Sequence, residues 1–299
     1  MKYYIGFPIS LHCNLRCPYC FNQEFYNFID KKIGTNKWRD KRTFTLEDYR
    51  KWRDDHLIDA SDIVMHLFGG EPFCQPNVED VFSIIDFMDK EHIDILSNGI
   101  CDSSILERLK QYKHKIHRVG FTYHRKVLEG MGWLTDKFIS NVQLVHQMGI
   151  PVYVKELLIK EYRDAIIEHK RWWLSQGIDF KIQDFKGQER GISQEEVAKY
   201  TPLDRLLVDP EYKHRNPCSC IFGYKNLFIR GFDMVDVGTN GSDIVACWHD
   251  PTVVGNILED WFTSNYIIVK KPDGTNDVKF VKKLYRGTYE RDLPKLESS

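Results

Sequence analysis

The sequence has almost no excess of charge: 42 Lys and Arg stand against 43 Asp and Glu, a formal net charge of -1. No overall field therefore favours nucleic acid or an anionic membrane, which leaves local basic patches as the electrostatic route to such partners. Long apolar runs are missing too. None approaches the roughly 18 residues that span a bilayer, and the stretch ahead of the first cysteine is too short for a secretory signal. Internal repeats and low-complexity tracts are absent. The expectation is a cytoplasmic chain with no nucleic-acid and no membrane partner. Cysteine is scarce, with eight in 299 residues, yet three of them fall in "SLHCNLRCPYCFN", at Cys13, Cys17 and Cys20. In a reducing compartment such clusters hold metal or perform thiol chemistry more often than they form disulfides.

Short β-type runs alternate with helical patterns through the first two thirds of the chain. Strands are predicted at 3–11, 62–68, 93–99, 116–123, 151–159 and 179–185, and helices at 45–58, 78–92, 103–113, 136–149 and 163–177. Thr45, followed by acidic residues, reads as an N-cap. Strict β/α alternation predicts an α/β fold with a parallel sheet and right-handed crossovers, either an open doubly wound sheet or a barrel. In both architectures the chemistry belongs at the C-terminal ends of the strands. Regularity stops near Lys186, so residues 1–186 form one expected unit and 187–217 a linker or lid. The remainder, 218–299, reads as a small module. In it a "GTNGSD" turn joins two β-like runs, "VVGNILEDWF" steps through Gly-Asn-Ile into a helix, and a last hairpin turns at Pro272 to Gly274.

Three thiolates in C-x3-C-x2-C spacing can ligate zinc or an iron–sulfur cluster. Structural zinc wants four ligands, usually as two separated pairs, and His12 points away from Cys13 if strand alternation holds. A cluster with one open iron fits three cysteines better. With Tyr19 as the aromatic before the third cysteine, the motif after the first strand of a βα series resembles the radical S-adenosylmethionine superfamily over residues 1 to about 186. The resemblance implies a partial (β/α)6 TIM-like barrel. It also implies that Cys13, Cys17 and Cys20 bind a 4Fe-4S cluster whose open iron is chelated by S-adenosylmethionine. An electron from an external reductant of flavodoxin or ferredoxin type would cleave that cofactor to a 5'-deoxyadenosyl radical, which abstracts a substrate hydrogen.

"FGGEP", Phe68 to Pro72, would be a plain turn by itself. Two glycines let backbone approach a ligand closely, and a carboxylate can accept from an ammonium. After the cysteine motif the stretch is similar to the family element that holds the methionyl amino group, which implicates Gly69, Gly70 and Glu71. By the same resemblance Ser97 and Asn98 lie near the ribose or carboxylate of the cofactor, Tyr123 or His124 near that ligand or the substrate, and Gln183 near adenine. Without the resemblance, Asn98-Gly99 is only a turn and His124 a solvated loop histidine. Lys155 and Glu156 take opposite faces, so at most one faces the barrel interior.

Cys218, Cys220 and Cys247 bracket the later hairpin. This arrangement resembles the twitch or SPASM extension that follows many such barrels, pinned by an auxiliary 4Fe-4S cluster. No cysteine follows Cys247, so one auxiliary cluster is the most this sequence supports, with a fourth ligand drawn from elsewhere. A zinc-held staple or plain buried thiols are the alternatives. Cys74 and Cys101 each follow a predicted strand end, where a small buried hydrophobe is the ordinary role. A thiol there could also donate a hydrogen atom to a substrate radical.

The resulting expectation is an enzyme that modifies a ribosomally made peptide by cross-link, thioether or epimerisation. With the motif starting at residue 13, no N-terminal leader-binding domain is expected, so the barrel, the linker or a separate partner would hold the peptide. The competing readings are a small-molecule dehydrogenase of natural-product or cofactor biosynthesis and a zinc-binding interaction protein. Molybdopterin-precursor synthesis is disfavoured, because the chain ends in "LESS" where that family ends in Gly-Gly.

Overall fold

The computed structural model describes residues 2–10, 12–20, 44–184, 225–229, 243–247, 250–262, 266–270 and 276–280. Six strands, β1 (Lys2–Pro8), β2 (Asp62–Phe68), β3 (Glu91–Ser97), β4 (Ile116–Tyr123), β5 (Val152–Leu158) and β6 (Asp179–Asp184), pair in parallel in chain order. Between them run α1 (Leu46–His56), α2 (Val78–Phe87), α3 (Ser103–Glu107) with a 3-10 turn at Arg108–Tyr112, α4 (Arg125–Leu128), α5 (Gly132–Gln147) and α6 (Arg163–Ser175). The α/β alternation read from the sequence is therefore the architecture found.

Alternating side chains decide which face meets the helices. Ile5 and Phe7 of β1, Met65 and Leu67 of β2, Ile93 and Ile95 of β3, Val119 and Phe121 of β4 and Val154 of β5 are fully buried. Phe7 packs edge-on against Tyr49 of α1 at 5.9 Å, and Phe121 against Phe138 of α5 at 6.3 Å. Large apolar burial of this kind is the main term favouring the fold. The opposite face is polar. There Tyr4 donates to Asp94 at 2.5 Å, Arg118 donates to the same carboxylate at 2.9 Å, and Tyr153 lies across Gly120, where a Cβ would come within 2.3 Å of the ring.

Helix ends follow local chemistry. Thr45 caps α1 through a reciprocal box: its hydroxyl accepts from the Asp48 amide at 3.1 Å, and Asp48 accepts from the Thr45 amide at 2.8 Å. The helix expected over 78–92 stops at Phe87. Glu91 is drawn inside instead, where Arg53 donates to both its oxygens at 2.9 Å and Tyr49 donates at 3.0 Å, so this segment begins β3. A buried carboxylate needs such partners. The helix expected over 103–113 is α-helical only to Glu107.

The later strands extend the same sheet. β7 (Lys225–Ile229) pairs in parallel with the free edge of β1, and β8 (Asp243–Cys247), β9 (Asp250–Asn256) and β10 (Trp261–Phe262) follow antiparallel. The expected hairpin appears as β7 and β8, although its "GTNGSD" turn, apart from Asp243 at the start of β8, lies outside the described residues. Among the described residues no helix follows Asn256, contrary to the expectation for "VVGNILEDWF". The Asn256 side chain accepts from the Glu259 amide at 2.9 Å, and Asp260 takes a positive φ of 54°, which turns the chain into β10. From that turn Asp260 pairs with Lys51 and lies 3.1 Å from His56 Nε2, both on α1, while Phe262 packs edge-on against Trp52 at 5.5 Å. β11 (Tyr266–Lys270) and β12 (Asn276–Phe280) form the last expected hairpin as a separate two-stranded sheet. Among the described residues no helix is long and apolar enough to cross a membrane.

Candidate active site at the strand ends

The cysteine loop leaves the C-terminal end of β1 and is zipped to the segment that leaves β2. Ile9 N–H donates to Phe68 O at 2.7 Å, Gly70 N–H to Ser10 O at 2.7 Å, and Glu71 N–H to His12 O at 2.7 Å, so the ladder between β1 and β2 continues past both strands. Gly69 is required by this approach. Its φ is +150°, and a Cβ would stand 2.2 Å from Ser10 O. At Gly69 the close approach is to the backbone beside the cysteines.

Asn77 locks the same junction. Its Nδ2 donates to Glu71 O at 2.7 Å and His12 O at 3.2 Å, and its Oδ1 accepts from the Ser10 hydroxyl at 2.7 Å. Standing just before α2, Asn77 has the sequence signature of an N-cap, yet its side chain makes no cap bond. Nothing in the pattern distinguished it.

Glu71 is 1% exposed and ties this segment to β3. One oxygen accepts from the Ser97 hydroxyl at 2.7 Å and the Phe73 amide at 2.9 Å; the other accepts from the Asn98 amide at 2.5 Å. Burial pushes its pKa up to about 7 against the pull of these three donors. Four lone-pair sites less three donors leave about one for an ammonium. Ser97 therefore serves Glu71, and Asn98 reaches the other way, to the cysteine loop. Gly99 follows with φ +74°, and a Cβ there would meet Phe138 at 2.7 Å.

Cys13, Cys17 and Cys20 are free thiols on one short loop. Burial raises Cys13 to about 12, and Cys17 rises for the same reason with the neighbouring thiols adding to it. Among the described residues no three His, Cys, Asp or Glu side chains are gathered tightly enough to hold a single metal ion. Three thiols on one short loop are the donor type an iron–sulfur cluster takes, each on a different iron. Tyr19 is buried and stacks on His124 at 6.0 Å, which joins the loop to the end of β4.

The remaining sequence candidates separate by face. His124 is half-buried at the end of β4; burial first, and Lys155 second, depress its pKa to about 4, and its Nδ1 is sheltered without a partner. Tyr123, one residue earlier, turns to the helices and packs 5.1 Å from Phe138 and 4.6 Å from His169. The two adjacent side chains thus part, Tyr123 packing on the helices and His124 on Tyr19 of the cysteine loop. Glu156 also faces the helices, held by Arg125 at 2.5 Å and by His169 Nδ1 at 2.8 Å, which leaves Lys155 on the inner face. Gln183, in register with Leu157, shares that inner face. Cys74 is 7% exposed and donates to Glu71 O at 3.2 Å, beneath the cysteine loop. Cys101 is 6% exposed, with the Asn141 amide 4.0 Å from its sulfur. Both are packed positions rather than open ones. Cys218 and Cys220 lie outside the described residues, and of Cys247 only the backbone, at the end of β8, is described.

Comparison with known proteins adds the following. The family model of the Radical SAM superfamily matches residues 7–172, more than half of the chain. The antilisterial bacteriocin subtilosin biosynthesis protein AlbA of Bacillus subtilis (strain 168) is 29% identical over 291 residues, covering 88% of this chain and 59% of that protein. The crystal structure of Streptococcus suis SuiB bound to S-adenosylmethionine superposes with a TM-score of 0.52 at 15% identity, covering 83% of this chain and 60% of that one. Native anSMEcpe with bound AdoMet gives a TM-score of 0.47 at 15% identity over 61% of this chain and 51% of that one. The chain thus spans about three fifths of the length of the curated relative it matches.

Proposed function

We propose that this chain, which belongs to the radical S-adenosylmethionine superfamily, modifies a peptide. The observation that carries the site is the backbone zip from Ser10 and His12 to Gly70 and Glu71, which sets three free thiols against the element expected to receive the cofactor's amino group. The peptide class is supported by the likeness to a bacteriocin biosynthesis protein over most of this chain.

In this reading Cys13, Cys17 and Cys20 hold the 4Fe-4S cluster and leave one iron for S-adenosylmethionine. When bound, that pair supplies a 5'-deoxyadenosyl radical from one external electron. The protein's own residues do the rest. Glu71 offers its remaining acceptor to the amino group, with Gly69 and Gly70 keeping that backbone against the cysteine loop. Neutral His124 presents its unpartnered Nδ1 at the mouth of the strands, and Gln183 lines the inner face. An auxiliary cluster on Cys218, Cys220 and Cys247 belongs to the same proposal, supported by the place of Cys247 at the end of β8, opposite Asp250 of β9. Cys74 and Cys101 stand as hydrogen-atom donors only if their packing opens.

Anaerobic co-expression with a short peptide encoded beside this gene tests the reading by mass spectrometry. Loss of two hydrogens is expected for a cross-link or thioether, and unchanged mass with deuterium uptake for epimerisation. A preparation that cleaves S-adenosylmethionine yet leaves every such peptide unaltered would overturn the peptide class in favour of a small molecule. Iron content of the same preparation separates one cluster from two.

A further inference from the structure

The cysteine loop is tied to the end of β3 by two asparagines, and the tie ends on sulfur. Asn98 is 5% exposed. Its Oδ1 accepts from the Ile100 amide at 2.9 Å; its Nδ2 stands 2.8 Å from Asn14 Oδ1 and 3.6 Å from Cys13 Sγ. Asn14 completes the ring by donating to Ile100 O at 2.6 Å. These contacts fix the amide orientation, because the reversed Asn98 would set oxygen against oxygen and leave the Ile100 amide facing an NH2 group. Cys13 Sγ also accepts from the Leu15 amide at 3.4 Å.

We propose that Asn98 is a positioning residue for the cluster, acting through the Cys13 sulfur rather than by touching S-adenosylmethionine. The inference rests on membership of the superfamily and on Cys13 as a ligand, and goes beyond both by assigning a tuning role to a β3 side chain. Adding an electron to a cluster places negative charge on its thiolates. An N–H donor aimed at one of those sulfurs stabilises the reduced form more than the oxidised form and raises the potential. Burial strengthens the effect, since little water competes for the sulfur. The Leu15 donor remains when Asn98 is replaced, so the expected consequence is a shifted potential on a cluster that still assembles.

The test is a redox titration of the reconstituted protein without S-adenosylmethionine, followed by electron paramagnetic resonance. Asn98→Leu keeps the branched outline of the side chain and removes the donor; Asn14→Ala breaks the asparagine tie and leaves the sulfur its donor. The midpoint of Asn98→Leu should fall below that of the unaltered protein, with Asn14→Ala staying close to it and iron content equal in all three. If the leucine variant fails to load iron, Asn98→Ser is too short to reach the sulfur and carries the same expectation. An unshifted midpoint in a fully loaded Asn98 variant, or an equal shift in Asn14→Ala, would overturn the proposal. Failure of the family reading would show separately, as unaltered protein with no cluster to titrate.

Discussion

Glu71 and His124 are shifted in opposite directions by the same cause, burial. The Glu71 carboxyl rises from 4.5 to about 7 because burial outweighs three hydrogen bonds, and the His124 imidazole falls from 6.5 to about 4 because burial disfavours its charged form. Between about 4.5 and 7 the folded state holds a proton on Glu71 that the unfolded chain has released, so this group's contribution declines as pH rises through that window. His124 has the opposite sign: unfolded chains bind its proton below 6.5, and its contribution is lost as pH falls toward 4. The two offset each other over most of the range. Glu71→Gln removes one side of the balance. Urea unfolding of the cluster-free protein should then show the unaltered protein losing, relative to Glu71→Gln, on the order of 3 kcal/mol between pH 4.5 and 7. A difference that stays flat across that interval would contradict the assignment of the raised pKa to Glu71.

At the scale of elements, the site is a continuation of the β1–β2 ladder beyond its strands. Gly69 is the residue on which that continuation depends. Gly69→Ala places a Cβ against the Ser10 carbonyl in a backbone region that only glycine occupies comfortably. The expected cost is about 2 kcal/mol or more, seen as a lower midpoint in urea together with reduced iron content after reconstitution. Full iron loading and unchanged unfolding would show that the zip does not organise the cysteine loop. The strands themselves were legible in the sequence because Ile93 and Ile95 flank Asp94, and Val119 and Phe121 alternate with Arg118, Gly120 and Thr122, so that one face is buried. Their boundaries were less so. Glu91 reads as the tail of a helix until Arg53 and Tyr49, supplied by a helix 38 and 42 residues earlier in the chain, draw its carboxylate inside.

Over the whole molecule, long-range pairing is what a local pattern could not reveal. β7 adds to the open edge of β1, Tyr3 opposite Lys225, and the C-terminal strands reach back to α1 through Asp260 and Phe262. Neither end of the chain carries a mark of the other. Thiols announce themselves by being rare, so Cys13, Cys17 and Cys20 mark the candidate site; Asn14, Asn77 and Ser10, which hold its loop, are residue types common in any turn. Tyr123 and His124 are adjacent in sequence, yet Tyr123 packs on Phe138 while His124, just past the end of β4, stacks on Tyr19, a separation that only the folded chain reveals.

The central claim is that the loop from Cys13 to Cys20 makes a radical from S-adenosylmethionine. Formation of 5'-deoxyadenosine by anaerobically reconstituted protein under dithionite, compared with the Cys13→Ala, Cys17→Ala, Cys20→Ala triple variant, tests it most directly. The account predicts deoxyadenosine from the unaltered protein and none above background from the triple variant; equal formation by both would contradict it.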